Sequence, residues 1–74
     1  MKEKVMAIIN SIRSSKNLES IKSLESSMKL REDLNLTSFD LAELTVKIED
    51  EFDIDIFEDG LVSTVGEIFE KLQK

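Results

Sequence analysis

The stretch "DLNLTSFDLAEL", residues 33–44, sets helix-favouring apolar and acidic residues behind two adjacent hydroxyls, Thr37 and Ser38. Thr37 with Asp40 three positions later has the spacing of a capping box, in which the threonine oxygen accepts a first-turn N–H and the aspartate reaches back to the cap's own N–H. One hydroxyl therefore suffices to start a helix here. Ser38 is left over, at the first helical position, exposed beside free backbone N–H groups and the positive end of the helix dipole, a setting that suits a phosphate ester. Judged alone, a serine at a helix start is usually a cap, and the pair can simply be redundant. Nothing near it in sequence would activate it as a nucleophile, so any function it has is as an acceptor modified by another enzyme.

Outward from this start, at about 100° per residue, Leu41, Leu44, Ile48 and Phe52 gather on one side and are expected in the core, on a helix running to about Glu51. Asp40, Glu43, Asp50 and Glu51 gather on the other side. Phe39 and Val46, seven residues apart, project beside these acids and away from the apolar stripe. Two apolar knobs bordered by carboxylates have the make-up of a small protein-binding patch, burial supplying affinity and charge steering encounter. The plainer reading puts Phe39 under the preceding loop and leaves Val46 as an ordinary exposed apolar residue.

Val5, Ile8, Ile9 and Ile12 share one face of a helix over about residues 2–14, and Val65, Ile68, Phe69 and Leu72 share one face over about 64–73. Ser63 or Thr64 can cap the latter, and Lys71 and Lys74 suit the negative end of its dipole. Residues 14–36 hold isolated apolar anchors (Leu18, Ile21, Leu24, Met28, Leu30, Leu34) and read as a long loop with one short helical turn near 18–24, folded over the helices by those anchors. "FDIDIFEDGLVS", residues 52–63, alternates apolar and acidic residues. A lone strand has no partner here, so an extended stretch leading into a short helix ending near Val62 is expected. The expected fold is all-α: a small four-helix bundle, three main helices and one short one, in a single domain over residues 1–74 with a long loop between the first two helices.

A chain of 74 residues is near the lower size at which one hydrophobic core suffices. It has no histidine and no cysteine, which removes imidazole acid–base work, thiolate chemistry, disulfides and the usual zinc sets. An enzyme acting on its own is not expected, nor a metal site. "DIDIFEDG" imitates a calcium loop, but counted from Asp53 the sixth place, where glycine is needed, holds Glu58 and the twelfth holds Thr64. Sixteen acidic against ten basic residues give a net charge of −6, which disfavours nucleic acid and anionic membrane and favours basic protein surfaces. The N-terminal residues have neither the pattern of a secretory signal nor that of a membrane span, so a cytoplasmic monomer without membrane insertion is expected.

The stretch "LREDLNLTSFDLAELTVKIEDEFDIDI", residues 30–56, resembles the acyl carrier proteins in order and spacing: a leucine- and aspartate-bearing loop, a serine opening an acidic helix, a Glu-x-x-Phe end and an Ile-x-Ile tail. "STVGEI", residues 63–68, resembles the start of that family's fourth helix, and residues 2–14 its first, so the resemblance spans the chain. It implies a four-helix bundle and a phosphopantetheine arm on Ser38 carrying acyl intermediates as thioesters. The implied docking residues are Phe39, Asp40, Glu43, Val46 and Asp50. The implied partners are a phosphopantetheinyl transferase and acyl-transferring, ligating or condensing enzymes with basic docking patches, in fatty acid, polyketide or related biosynthesis. Thr37 in place of an aspartate, Asn35 of a glycine, Phe39 of a leucine and Phe57 of a proline, with Lys47 on the acidic helix and Gly60 in a shortened third-helix region, suggest a specialised pathway. A non-catalytic acidic adaptor of the same fold, docking without a prosthetic group, is the competing expectation.

Overall fold

Three helices organise the chain in the computed structural model, which describes residues 2–58, 60 and 62–73. They are α1, Lys2–Ser15; α2, Ser38–Phe52; and α3, Val65–Leu72. No strand occurs among the described residues; there is one isolated antiparallel bridge, between Lys29 and Thr64. The all-helical expectation stands. No helix among the described residues is long and apolar enough to cross a membrane. Lys74, read as a helix-end charge, and Asp59, one of the acids before α3, lie outside the described residues.

The helical periods bury what they should. Val5, Ile9 and Ile12 of α1, Leu44 and Ile48 of α2, and Val65, Ile68 and Leu72 of α3 meet in one core. Leu41 and Phe52, at the margins of the α2 stripe, are only partly buried against it. Thr37 and Thr64 cap α2 and α3 in the same way, each side chain accepting the N–H three residues on while the acid there, Asp40 or Glu67, accepts from the cap's backbone. The caps satisfy amides that a helix end otherwise leaves open.

The long loop is pinned, as its spaced leucines require. Leu24, Leu30, Leu34 and Leu36 are as deeply buried as the helical core residues. The expected helical turn near 18–24 is not formed. α1 ends instead in a turn closed by Lys16 and Asn17 N–H groups on the Arg13 and Ser14 carbonyls, with Asn17 left-handed at φ 63°. Asn10 then grips Ile21 through both of its backbone groups, at 2.8 and 3.1 Å. With its amide and carbonyl bonded to a side chain, Ile21 does not belong to a helical ladder.

Further on, the loop runs beside the start of α3. Leu30 N–H donates to the Ser63 carbonyl at 2.9 Å, Val65 N–H to Met28 at 3.0 Å and Gly66 N–H to Ser26 at 3.1 Å. This approach explains Gly66, because a Cβ there would stand 3.1 Å from both the Ser26 Cβ and its carbonyl oxygen. Between α2 and α3 the described residues form a turn at 56–58 and no helix. The Asp55 carboxylate accepts the Phe57 N–H at 2.9 Å, the local side-chain bond that diverts backbone from a helix.

Candidate modification site and docking face

The first turn of α2 is fixed from below. Arg13, buried near the end of α1, donates through Nη1 to the Leu34 carbonyl at 2.6 Å and through Nε to the Glu19 carbonyl at 3.1 Å. One turn later, Lys16 Nζ donates to the Asn35 carbonyl at 2.6 Å and to Asp40 Oδ2 at 2.5 Å. These two cations hold both sides of the loop against the backbone that leads into α2. Asn35 turns that backbone through a left-handed conformation at φ 60°, which asparagine tolerates better than most residues. Leu36 follows into the core.

Asp40 serves three partners at once: the Lys16 ammonium, the Thr37 N–H at 2.9 Å and, through its own N–H, the Thr37 hydroxyl at 3.2 Å. The Lys16 hydrogen bond, followed by the Thr37 N–H, holds its carboxyl below the ordinary 3.8, with burial opposing. Only 7% of Asp40 is exposed. Its placement on the outward acidic face is therefore corrected: as the third residue of the capping box it must turn back to the cap, and Lys16 covers it. Glu67 is held low in the same manner by the Ser63 N–H, the Ser63 hydroxyl and the Thr64 N–H.

With Thr37 and Asp40 occupied by each other, Ser38 is free. Its side chain is exposed and makes no hydrogen bond with any described residue. It lines a groove of about 590 Å³ together with the apolar Leu41, Ala42, Phe57 and Val62 and the charged Lys29, Arg31 and Glu32. Lys29 lies 3.8 Å from Glu32, an exposed pair one turn apart. The Arg31 guanidinium has no partner among the described residues.

Phe39 is 79% exposed and Val46 65% exposed, the large apolar side chains most open to solvent among the described residues. Phe39 does not tuck under the loop. Val46 and Asp50 border one shallow depression along α2, and Glu43, half-buried, lies 3.9 Å from Lys47. Phe39, Glu43, Val46 and Asp50 thus lie on the accessible part of α2, and Asp40 does not. Among the described residues no group of three or more acidic side chains is gathered to hold a metal ion.

Sequence reasoning missed Arg13, Lys16, Lys29, Arg31 and the groove lining. A cation just after a helix carries no periodic signal, and its target is set by how the loop returns. Comparison with protein-family models, curated proteins and solved structures finds no match.

Proposed function

We propose that the chain is an acyl carrier protein of a specialised fatty acid, polyketide or related pathway, with Ser38 as the attachment point of a phosphopantetheine arm. The observation that carries this reading is the division of labour at the start of α2. Thr37 and Asp40 complete the cap, so the Ser38 hydroxyl is spare, exposed and on rigid backbone. A carrier needs a hydroxyl in that state, reachable by a transferase and held still by its own fold.

The attachment chemistry falls to a partner. On a phosphopantetheinyl transferase, the Ser38 oxygen attacks the pantetheine-side phosphorus of coenzyme A. A serine phosphodiester forms, the pyrophosphate bond to the adenosine bisphosphate half breaks, and the hydroxyl proton passes to a base of the transferase. The thiol at the end of the arm then exchanges acyl groups as thioesters with ligating, transferring or condensing enzymes. The chain itself positions and presents; it is not an enzyme. Phe39 and Val46 supply the apolar contact for basic partners, and Glu43 and Asp50 the steering charge. In this reading the protein works as a cytoplasmic monomer. On this reading the sequence between α2 and α3 corresponds to the family's short helix, although the described residues there form a turn at 56–58.

Exposed Phe39 and Val46 would serve a docking adaptor with no arm equally well. Intact-protein mass spectrometry after incubation with a phosphopantetheinyl transferase and coenzyme A separates the two. One arm should appear on the wild type and none on Ser38→Ala. An unmodified wild type, with the transferase active on another carrier, leaves the adaptor; an arm on the Ser38→Ala chain moves the attachment elsewhere.

A further inference from the structure

The groove beside Ser38 is chemically lopsided. Leu41, Ala42, Phe57 and Val62 give it an apolar lining, while the loop contributes two cations, Lys29 and Arg31, and one carboxylate, Glu32, which faces Lys29 at 3.8 Å and leaves the Arg31 charge uncompensated among the described residues. In a chain of net charge −6 this is a notable use of basic residues. Three cations on the helices and their ends are paired: Lys4 with Glu51 at 2.9 Å, Lys16 with Asp40 at 2.5 Å and Lys47 with Glu43 at 3.9 Å. Arg31 has no such partner among the described residues, and Lys29 has only the solvent-exposed Glu32 at 3.8 Å.

The loop that presents these cations is held on both sides. Lys29 N–H donates to the Asp33 carboxylate at 2.7 Å, and the Asp33 and Leu34 N–H groups return to the Lys29 carbonyl at 2.9 and 3.2 Å. Leu30 is anchored in the core and bonded to Ser63. Arg31 therefore rises from a fixed turn and lines the same groove as Ser38.

We propose that Arg31, assisted by Lys29, holds the phosphodiester of a group esterified to Ser38, and that the group is thereby laid along the apolar lining rather than left extended in solvent. The inference rests on the attachment reading above. A phosphodiester on Ser38 adds an anion to a groove that Arg31 also lines, and arginine's planar fork pairs two phosphate oxygens at once. Beyond the phosphate, the pantetheine arm presents a carbon bearing two methyl groups, which matches the half-buried Leu41 and Phe57. The uncompensated Arg31 charge and the apolar lining select the same occupant. Released by a competing basic partner, the arm would swing free.

The test compares the apo chain and the chain carrying a phosphopantetheine arm by NMR. The arm's methyl protons should show contacts to the Phe57 ring, and the Arg31 Nε–H signal should shift on attachment. In an Arg31→Gln, Lys29→Gln double variant carrying the same arm, with helicity unchanged, the Phe57 contacts should be lost; Arg31→Lys should retain part of them. A wild-type chain that carries the arm but leaves Arg31 and Phe57 where they stand in the apo chain overturns the proposal, as do Phe57 contacts that survive unchanged in the double variant. Either result leaves the carrier reading intact. A wild-type chain that takes up no arm removes both.

Discussion

The Lys16 ammonium lies 2.5 Å from the Asp40 carboxylate, joining the turn that ends α1 to the first turn of α2 across 24 residues of sequence. The same ammonium holds the Asn35 carbonyl, so the loop is closed at its neck. Asp40 thereby leaves the docking face and becomes part of the support beneath Ser38.

The first prediction follows from that pair. Because Lys16 and the Thr37 N–H hold the Asp40 carboxyl below 3.8, folding favours its charged form. Its contribution is present above the unfolded value and is lost as pH falls through the lower folded value. Asp40→Asn should therefore cost roughly 1 kcal/mol near neutral pH, the scale of a weakened cap. The gap from wild type should close as pH drops below 3.8. Urea titrations of both chains across this range check it; a gap independent of pH would show that the charge of Asp40 is not what stabilises the neck.

Docking should divide into a charged and an apolar part. Glu43→Lys with Asp50→Lys should slow arm transfer and weaken binding to basic partners at low salt, and the difference should shrink as salt rises, because exposed charges are screened over about 10 Å at 0.1 M. Phe39→Ser should weaken binding with little salt dependence. Binding measured by titration calorimetry at two ionic strengths decides it. Equal affinities for wild type and the double-lysine variant at low salt would remove Glu43 and Asp50 from the interface, and an unchanged Phe39→Ser as well would remove α2.

The loop leucines should behave as core. Leu30 is 0% exposed, and Leu30→Ala should cost about 2–5 kcal/mol, a large part of the roughly 4–11 kcal/mol that a domain of this size holds. Phe39→Ser, on exposed surface, should move stability by about 0.5 kcal/mol or less. Denaturant midpoints compare the two; a mild Leu30→Ala would mean that the loop can leave the helices at little cost.

Acidic repulsion should limit stability at the end of α2. Glu49, Asp50, Glu51, Asp53, Asp55 and Glu58 are all exposed there, and the last turn of α2 holds no basic residue. The melting temperature should rise with monovalent salt. Asp53, left-handed at φ 60°, closes the helix where glycine is usual. Asp53→Gly relieves the left-handed cost of about 1–2 kcal/mol, removes a charge from the negative end of the dipole, and gives back about 0.5–1 kcal/mol of glycine entropy. A net gain near 1 kcal/mol and a weaker salt response are expected. Thermal melts at low and moderate salt would refute this if the midpoint stayed level or fell.

What the sequence determined by itself was everything local. The period of apolar residues placed three helices to within a few residues. Thr37 and Thr64, each with an acid three positions on, marked the starts of α2 and α3. The spare hydroxyl at Ser38 followed from the same spacing. These features depend on residues three or four apart, so a linear reading contains them. Tertiary structure decided what depends on distant residues meeting. The turn at 16–17 and the Asn10 grip on Ile21 replaced the expected helical turn near 18–24. Asp40 matched the outward acidic face by angle, yet the capping box turned its carboxylate back to Thr37 and a cation 24 positions earlier covered it. Arg31, one charge in a polar loop, came to line a groove with Ser38 because Leu30 beside it had to be buried. Periodicity describes one element at a time, whereas burial and ion pairing are settled between elements, by where the chain comes back.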